Sequence, residues 1–481
     1  MNRRMVLNTI GHIAVTESAL MLLPLFISLL YGEKAVWSFA VSASVALVLG
    51  LLLRFFSKPS TRVIYAKEGF AIVGFAWLLM SLLGALPFYL SGSIPSFVDA
   101  IFETVSGFTT TGASILTEIE SLPKGILFWR SFTHWVGGMG VLVFVMALVP
   151  NVADRSMNIM RAEMPGPTVG KLLPKARDTA KILYIIYVVM TLVEIILLLF
   201  GGMSLFESVV HAFGTAGTGG FGIKNDSIAS YSAYLQWIIT VFMLLFSVNF
   251  NLYYLLLTKK FKSVLKSTEL LFFGGFVLIS VIVISVNVYS IYGTLSDTLR
   301  HTSFQVSSIV STTGYATVDF NHWPELSKSI ILLLMVVGGC AGSTAGGLKV
   351  SRVIILLKSI YREIKRLLHP RSVRTVNMEL KRVDELTLNG VYSYFAIYIV
   401  IIIGLYVIIS IESVFDMQTN FSAVLACFNN VGPGLGAVGP TSNYAVYSDF
   451  SKIVLSLAML LGRLEIFPLL LGLNPLMWKK K

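Results

Sequence analysis

The stretch Thr109-Thr110-Thr111-Gly112-Ala113-Ser114 is short and polar, and apolar sequence flanks it on both sides. Residues 97–108 before it predict a short helix, and residues 126–150 after it predict a long apolar helix. Three later stretches repeat this order: Gly217-Thr218-Gly219-Gly220-Phe221, Ser311-Thr312-Thr313-Gly314-Tyr315 and Gly432-Pro433-Gly434-Leu435. The sequence therefore predicts one unit of about 100 residues in four copies, whose equivalent glycines are Gly112, Gly220, Gly314 and Gly434.

The four loops have the composition of an ion filter. Non-helical backbone at membrane depth is tolerated only where protein buries it or water reaches it, and glycine lets carbonyl oxygens approach a bound species. In potassium filters, rings of carbonyl oxygens replace the hydration shell of the ion. We therefore predict a single-chain cation pore with fourfold pseudo-symmetry, whose filter residues are Thr110, Thr111, Gly112, Thr218, Gly219, Gly220, Thr312, Thr313, Gly314, Gly432, Pro433 and Gly434. The alternative, ordinary turns outside the membrane, is disfavoured because four copies share one apolar setting.

The composition is that of a polytopic membrane protein. Of 481 residues, 55% are hydrophobic and 13% are charged, and the mean hydropathy is +0.79, whereas soluble proteins carry roughly 25% charged residues. The net charge of +12 lies mostly in the connections between apolar segments, so it does not indicate nucleic acid binding. The two cysteines and six histidines show neither a disulfide framework nor metal-site spacing. Because no nucleophile–base pair or nucleotide motif is present either, the sequence predicts neither an enzyme nor an organic cofactor.

The apolar segments predict an all-α fold. Two helices, residues 10–31 and 35–56, precede the first unit, and each unit then consists of an outer helix, a pore helix, the loop and an inner helix. The predicted divisions of the chain are residues 1–66, 67–150, 151–258, 259–383 and 384–481. The predicted outer helices are residues 69–90, 181–201, 270–291 and 388–410. The predicted inner helices are residues 126–150, 234–257, 327–357 with a break, and 451–473.

Capping residues mark the starts of the predicted pore helices. A serine or threonine is followed three residues later by an acid in three of the units: Ser96 with Asp99, Ser204 with Glu207 and, less closely, Thr294 with Asp297. The fourth unit shows no clear pair. Since a helix C-terminus carries partial negative charge, pore helices that end within the membrane would favour a cation there.

The charges predict the orientation of the chain. Basic residues cluster in the connections between units and at both termini, so these parts are predicted to be cytoplasmic and the loops to enter from outside. Acidic residues lie on the loop side: Asp99, Glu103, Glu118, Glu120, Glu207, Asp226, Asp297, Asp319, Glu412 and Asp416. They either concentrate cations at the mouth or form an ordinary polar surface, and the sequence leaves both interpretations open.

Two features of the inner helices predict a gate. The third is interrupted by the glycine-rich segment 338–347, where each glycine costs up to about 1 kcal/mol in a helix interior. We predict a flexible gate loop under the filter that contains Gly338, Gly339, Gly342, Ser343, Thr344, Gly346 and Gly347; close helix packing through small residues is the alternative. Arg463 lies within the fourth apolar inner segment, where an arginine usually faces a polar interior. We assign it to the gate, and snorkelling to the membrane surface is the alternative.

The sequence resembles the TrkH/TrkG/KtrB family of potassium-translocating membrane proteins over nearly its whole length, and the TrkH branch most closely. The resemblance rests on the four loops and on further segments, namely residues 128–130, 135–140, 161–167, 338–344, 369–371, 429–434 and 462–467. It implies the pore subunit of a Trk/Ktr-type potassium uptake system in the bacterial inner membrane, which conducts K+ and Rb+ bound at the filter. It also implies an intramembrane loop that blocks the pore, and Arg463 in the permeation path.

The resemblance implies partners as well. These are a second copy of the chain, in a homodimer, and a cytosolic ring of nucleotide-binding regulatory subunits like TrkA or KtrA. The basic segment 349–382 is the candidate docking surface, although positive-inside topology and contact with anionic membrane lipid would also explain its charge. K+ is then the substrate, and no organic cofactor is expected in this chain. The alternative function is an ion-coupled (H+ or Na+) potassium symporter, but transporters commonly contain inverted repeats, whereas all four units here enter from one side.

Overall fold

The computed structural model describes residues 2–57, 65–140, 176–372, 374–379 and 381–474. Apart from one two-stranded hairpin and three short 3-10 turns, the regular structure of this part of the chain is α-helical. Six of its helices are long and apolar enough to span a membrane, or seven if one bent pair is counted as a span. The predicted polytopic all-α fold is thereby confirmed.

The N-terminal helices pack closely through glycine. They are Arg3–Leu20, Leu22–Leu30 and Val36–Phe56. A Cβ atom on Gly11 would lie 2.8 Å from the carbonyl oxygen of Gly50, and a Cβ atom on Gly50 would lie as close to that of Gly11. The small residues therefore allow the two backbones to meet. The first helix begins earlier than predicted because the side chain of Asn2 caps it, accepting from the Met5 amide at 3.2 Å.

Four outer helices surround the pore units. They are Ala66–Leu90, Ala176–Phe200, Thr268–Tyr292 and Glu385–Ser410, close to the predicted bounds. Large apolar side chains on three of them are mostly exposed, at 80% for Phe200, 77% for Val286 and 69% for Val400. In a helix of this length such an apolar face is suited to lipid rather than water.

Four pore helices are too short to span a membrane. They are Phe97–Phe108, Leu205–Ala216, Leu295–Val310 and Met417–Phe428. At about 1.5 Å per residue they are roughly 18–24 Å long, against roughly 30 Å of hydrocarbon. The predicted caps are confirmed, since Ser96, Ser204 and Thr294 each accept from the amide three residues on. The fourth pore helix, for which no cap was predicted, is capped by Asp416, whose carboxylate accepts from the Thr419 amide at 3.0 Å.

The inner helices differ most from the prediction. They are Lys124–Gly138, Ala233–Phe246 with Phe250–Leu257, Glu325–Val336 with Val350–Leu368, and Asp449–Arg463 with Phe467–Leu473. The predicted break in the third is confirmed. The second and fourth were predicted to be continuous, and this is wrong because each is broken near its middle or end. The predicted end of the first, up to residue 150, lies outside the described residues.

Contacts with the glycine-rich segment explain the break in the second inner helix. Its two halves meet at a 92° bend. The carbonyl oxygens of Phe246 and Ser247, which lose their helical donors at the bend, accept from the amides of Thr344 at 3.3 Å and Cys340 at 2.9 Å. The side chain of Asn249 then caps the second half. Tertiary hydrogen bonds therefore replace the helical ones.

The side of the molecule predicted to be cytoplasmic carries the remaining elements. The helix Phe261–Leu265 lies before the third outer helix, and strands Asn377–Met378 and Lys381–Arg382 pair antiparallel before the fourth outer helix. A small apolar cluster attaches this region to the bundle; it contains Ile355, Val376, Leu388 and Val391. The 3-10 turns, on the opposite side, are Phe320–His322, Gly436–Val438 and Tyr444–Val446.

Candidate functional site

The four predicted filter loops share one backbone conformation. The φ angle is positive at a non-glycine residue in each loop, which is uncommon: 57° at Thr110, 56° at Thr218, 57° at Thr312 and 55° at Asn430. Two residues later a glycine has positive φ: 79° at Gly112, 75° at Gly220, 84° at Gly314 and 94° at Gly432. The fourth equivalent glycine is therefore Gly432, and the prediction of Gly434 is wrong by two residues. Asn430, Val431 and Gly432 occupy the places of Thr110, Thr111 and Gly112.

The loops form a closed ring in chain order. Each of the four glycines abuts a carbonyl oxygen of the next loop, which a Cβ atom would overlap: Gly112 abuts Gly219, Gly220 abuts Thr313, Gly314 abuts Val431, and Gly432 abuts Thr111. The fourth loop thus returns to the first. Glycine is required at these four positions both by the positive φ and by the neighbouring carbonyl. The arrangement places four equivalent carbonyl oxygens around one axis, which is the ligand set of a cation filter.

The other two predicted residues of the fourth loop lie beside this ring. Pro433 lines a cavity of about 150 Å³ that adjoins the ring, together with Gly112 and Gly220. The amide of Gly434 donates to the Val438 carbonyl at 2.7 Å, and its missing side chain would meet Ser422. Pro433 therefore belongs to the entrance, and Gly434 belongs to the packing behind the loop.

The loop side chains fall into two groups. The hydroxyls of Thr111 and Thr313 lie 2.7 Å from those of Thr109 and Ser311, which follow their pore helices directly. These bonds brace each loop against its own helix. The hydroxyls of the left-handed residues Thr110 and Thr312 are instead bonded to the gate elements described below, and Thr218 donates to its own neighbour Gly217 at 2.6 Å. The symmetric ring therefore meets an asymmetric set of partners on its gate side.

A buried ion pair braces the first two loops from behind. Arg130 contacts Glu103 at 2.6 Å, and both side chains are almost fully buried. Glu103 also accepts from Ser114 and Ile115, while Arg130 donates to the Gly222 carbonyl at 2.9 Å. The sequence interpretation placed Glu103 among the acids of the mouth, which is wrong, because the helical partner that neutralises it is distant in sequence. Arg130 lies within an apolar helix, and such an arginine is the sequence signal that could have indicated a buried acidic partner.

Several other acids near the mouth are also engaged in structural contacts. Asp99 pairs with Lys452 at 2.6 Å, and Asp297 pairs with Arg300 at 2.8 Å. Glu118 and Glu120 stay exposed and hold the loop residue Asn225 through hydrogen bonds. A paired acid contributes less attraction for an incoming cation than an isolated one, so these contacts favour the interpretation of a polar surface for Asp99 and Asp297.

The predicted gate segment is a loop that joins two halves of the third inner helix. It closes on itself through the bonds from the Gly338 amide to the Leu348 carbonyl at 3.1 Å and from the Leu348 amide to the Val336 carbonyl at 3.1 Å. The backbones of Gly338 and Gly347 touch so closely that neither has room for a side chain. The Ser343 hydroxyl donates to the Cys340 carbonyl at 2.7 Å. The glycines therefore serve a compact loop rather than helix–helix packing.

The predicted gate loop contacts two of the predicted filter loops directly. The amide of Gly346 donates to the hydroxyl of Thr312 at 2.6 Å. Gly346 also abuts the carbonyl of Asn429, at the start of the fourth loop, where a Cβ atom would lie 2.5 Å from the oxygen. Gly339 and Gly342 face the second inner helix near its bend, at Ser247 and Asn249. The loop thus connects two filter loops to a bent inner helix.

Arg463 joins three parts of the pore. Its guanidinium donates to the Thr110 hydroxyl at 3.1 Å, to the Thr344 carbonyl of the gate loop at 2.9 Å, and to the Gly137 and Gly138 carbonyls of the first inner helix, both at 2.6 Å. Snorkelling would turn the side chain away from these groups, so the prediction that it faces the polar interior is confirmed by its contacts. A fixed positive charge lies directly against the filter.

A second set of buried cations lies at the end of the gate loop, and the sequence interpretation missed its role. Lys349 is buried, and its Nζ donates to the carbonyls of Ala345 and Gly346. Arg352 forms a bidentate pair with Glu465 at 3.0 and 2.6 Å. Glu465 follows Arg463 in the break of the fourth inner helix, where its φ is 53°. The pair therefore ties this break to the helix that follows the gate loop.

These contacts exclude the first basic residues of segment 349–382 from the candidate docking surface. Lys349 and Arg352 begin the basic segment 349–382, but both are buried and cannot contact a partner. The rest of the segment retains exposed basic residues, such as Arg366, whose side chain is 65% exposed. The part of the segment suited to docking therefore begins after the first turn of Val350–Leu368.

The chain is similar to known proteins over nearly its whole length. A sequence model of the TrkH family, described as "Cation transport protein", matches residues 38–477. The Trk system potassium uptake protein TrkH of Salmonella typhimurium is 36% identical over 486 residues, with 100% of both chains covered. The Trk system potassium uptake protein TrkG of Escherichia coli is 34% identical over 481 residues, with 99% of both chains covered.

A solved structure is similar over the same length. The crystal structure of the potassium transporter TrkH from Vibrio parahaemolyticus has a TM-score of 0.89 and 32% sequence identity to this chain, with 100% of both chains covered. The resemblance inferred from the sequence is thereby confirmed. So is the prediction of a membrane transporter rather than an enzyme, because the family is one of cation transport proteins.

Proposed function

The chain belongs to the TrkH family of cation transport proteins, and we propose that it is the potassium-conducting pore subunit of a Trk-type uptake system in a bacterial inner membrane. The closed ring of loops carries this proposal. Its four equivalent carbonyls belong to Thr111, Gly219, Thr313 and Val431, and each faces a glycine of the adjoining loop. The names of the relatives, which are potassium uptake proteins, support potassium as the ion.

The ring selects among cations by replacing the water around the ion with protein oxygens. A K+ ion loses its hydration shell and gains carbonyl oxygens, and Rb+, which is similar in size, passes in the same way. The four pore helices end at the ring, so their partially negative C-termini favour a cation there. The backbone conformation of the ring repeats, but the ring is supported by unlike side chains, because Gly219 and Val431 replace threonine in two of the loops. We expect its preference for K+ over Na+ to be weaker than that of a symmetric filter.

In this proposal the gate loop and Arg463 close the path below the ring. Arg463 holds its charge against Thr110, and it binds the gate loop through the Thr344 carbonyl. A cation that leaves the ring toward this side meets a positive group in a site shielded from water, where repulsion is much stronger than in bulk solvent. Opening requires the gate loop to release Arg463 and the Gly346–Thr312 bond.

A cytosolic partner supplies the force for opening in this proposal. The helix Val350–Leu368 follows the gate loop directly, so a displacement of its exposed part moves the loop. Two copies of the chain assemble on a ring of nucleotide-binding subunits, with both termini of each chain in the cytoplasm. The exposed basic residues of 358–382 form the contact, and anionic lipid is the competing explanation for their charge.

Proton-coupled symport is the second candidate function, and one observation favours it. Glu17 is completely buried, and within the described residues neither carboxylate oxygen has a hydrogen-bond partner. It lies 3.3 Å from the position of a Cβ on Gly84, behind the first pore helix. A buried carboxyl without a partner is a candidate proton carrier. A current whose reversal potential follows the K+ gradient alone would exclude this function, and dependence on the pH gradient would establish it.

Ion flux through the purified full chain in liposomes tests the main proposal. We expect K+ and Rb+ to pass faster than Na+ when the gate is opened by a partner or by mutation of Arg463. Gly404→Ala is a matched control, because a Cβ at Gly404 meets no atom within 4 Å. Equal fluxes of K+, Rb+ and Na+ would contradict the assignment of the ring as a potassium filter.

A further inference from the structure

A cavity of about 250 Å³ lies against the gate loop. It is bounded by the second half of the second inner helix, the start of the third outer helix, the helix Val350–Leu368 and the hairpin. Its polar lining contains Asn251, Ser267, Glu269, Ser351 and Glu379, and Ala341 of the gate loop also faces it. The cavity therefore borders both the gate loop and the helix that would move it.

Glu269 connects this cavity to the gate loop and to the start of the helix that follows it. Its Oε1 accepts from the amide of Ala341 at 2.7 Å and from the amide of Ser351 at 3.1 Å. Its Oε2 has no hydrogen bond among the described residues. The side chain is 7% exposed, so one carboxylate oxygen holds the loop and the other is left for a ligand in the cavity.

Further oxygens of the lining lack partners. The hydroxyl of Ser351 and the amide oxygen of Asn251 are buried, and within the described part of the chain neither forms a hydrogen bond. Ser351 as a whole is only 5% exposed. Glu379 accepts from the Ser267 hydroxyl at 2.9 Å, and in the same described ranges neither Glu269 nor Glu379 forms an ion pair. Buried polar atoms without partners indicate a missing ligand or water.

We propose that this cavity binds a hard divalent cation of the Mg2+ type, and that the bound cation stabilises the closed gate. The available donors are two carboxylates, one amide oxygen and hydroxyl oxygens, which are the ligands of hard cations. Two carboxylates bordering one partly buried cavity favour a bound positive charge. Lys349 is near Glu269 but does not line the cavity, and its Nζ is directed at the carbonyls of Ala345 and Gly346. The volume also suits Mg2+, which keeps several waters, each needing roughly 30 Å³.

The inference rests on the proposed role of the gate loop. A cation on Oε2 would hold Glu269 in the orientation in which Oε1 binds both the gate loop and the start of the next helix. A ligand that binds one state better than another shifts the equilibrium toward that state. Divalent cations therefore lower K+ flux, and a partner that opens the gate weakens their binding by the same factor.

Binding and flux are measured separately on the purified full chain. Isothermal titration with Mg2+ should detect a site in the wild type, and Glu379→Gln should weaken it by about tenfold or more. Glu363→Gln is the control, since it removes a charge from an exposed residue of Val350–Leu368 that does not line the cavity. In liposomes, Mg2+ should lower wild-type Rb+ flux by about fivefold relative to a chelator, and should have little effect on Glu379→Gln.

The outcomes separate this inference from the proposed function. Normal Rb+ flux without Mg2+ binding, or Mg2+ inhibition that persists in Glu379→Gln, would overturn the cation site alone. Equal effects of Na+ and Mg2+ at the same concentration would also overturn it as a divalent site. Absence of ion flux under all conditions would instead contradict the pore assignment. If Glu379→Gln does not fold, Asn251→Ala, which removes a different ligand oxygen, is used with the same expectation.

Discussion

The ring of loops and the gate beneath it follow opposite rules. In the ring, four segments adopt the same φ angles and each glycine meets the carbonyl of the next loop. On the gate side the described parts of the inner helices differ from one another: the second bends by 92°, the third contains a loop, and the fourth supplies Arg463. Equivalent groups repeated around an axis can surround an ion evenly, whereas one moving element is enough to close a path. In the proposed function, repeated residues therefore form the filter and residues present once form the gate.

The largest expected effect comes from breaking the repetition itself. Gly112→Ser places a Cβ onto the carbonyl oxygen of Gly219 at a positive φ, and we expect it to abolish K+ flux or its preference over Na+. Gly432→Ser should do the same, because Gly432 is the equivalent residue of the fourth loop. Flux of K+, Rb+ and Na+ in liposomes checks both, with Gly404→Ala as control. Unchanged selectivity in a folded Gly112→Ser protein would contradict the filter assignment.

The second largest effect is expected from Arg463, which belongs to the gate side and has no counterpart in the described parts of the other units. Arg463→Ala removes the fixed charge and the bonds to Thr110, Thr344 and Gly137. Because hydrogen bonds to charged groups are worth about 1.5–3 kcal/mol each, we expect partner-free K+ flux to rise by about tenfold or more. Arg463→Lys distinguishes the two roles: a barrier of charge survives, while a latch made of several donors weakens because an ammonium lacks the planar fork.

Normalisation to folded protein makes this comparison quantitative. Flux of Arg463→Lys close to wild type assigns the effect to charge, and flux close to Arg463→Ala assigns it to the hydrogen bonds. Equal flux in all three proteins would remove Arg463 from the permeation path.

A smaller effect on flux should distinguish Thr312 from Thr218, which occupy equivalent places in their loops. Thr312→Val removes the acceptor of the Gly346 amide, whereas Thr218→Val removes a hydroxyl that bonds only its own loop. The lost bond is worth about 1 kcal/mol, so Thr312→Val should raise partner-free flux about fivefold and Thr218→Val should not. Partner-free K+ flux in liposomes, measured for both variants and the wild type, checks this prediction. A similar rise in both variants would show that the effect arises in the filter and not from the gate.

The comparison also explains which parts the sequence could predict. The loops were found because repetition is visible in one chain, and the gate loop because glycine is unusual in a helix. The register of the fourth loop was missed, since Gly432-Pro433-Gly434 offers two glycines and Asn430 replaces the threonine of the other loops. Which glycine takes positive φ depends on the Thr111 carbonyl that it meets. That contact lies more than three hundred residues away in sequence.

The bends of the second and fourth inner helices were missed for a related reason. Ser247-Val248-Asn249 contains neither glycine nor proline, so local propensity predicts a continuous second helix. Near the break of the fourth, Gly462 and Pro468 are local signals that the prediction did not use. The bends are held by tertiary partners: the gate loop for the second, and Arg352 for the fourth. Glu103 was misassigned because its partner Arg130 lies on another helix. Long-range pairing of this kind leaves no periodic signal.

Breaking the ion pair between Arg352 and Glu465 should have a still smaller effect. This pair joins the helix after the gate loop to the break in the fourth inner helix. Arg352 and Glu465 are 7% and 20% exposed and form two hydrogen bonds. Glu465→Gln should raise partner-free flux about threefold, in line with the coupling of contacting pairs. In a double-mutant cycle with Arg352→Met the two effects should not add. The exposed pair Arg366 and Glu363 provides the control cycle, in which additivity is expected. Additivity at Arg352 and Glu465 would show that the pair does not act on the gate.

The smallest expected effect lies on the outer rim, away from both regions. Glu412 follows the fourth outer helix, and hydrogen bonds from Ser448 and Ser451 lower the pKa of its carboxyl. A carboxyl with a lowered pKa in the folded protein stabilises the fold above its unfolded pKa of about 4.3. This contribution is lost as the pH falls through the lowered folded value. Ser451→Ala should therefore slightly lower the melting temperature at pH 7, and the difference from wild type should shrink in acid.

Ser44→Ala is the control for this rim contact, because Ser44 is an exposed serine that bonds only a helix carbonyl. Its melting temperature should differ from wild type by the same amount at every pH. Flux should be unchanged in both serine variants, since neither residue reaches the ring or the gate. A pH-independent effect of Ser451→Ala would show that the serine stabilises its helix alone, without the carboxylate. A change in ion selectivity would contradict the separation of the rim from the filter.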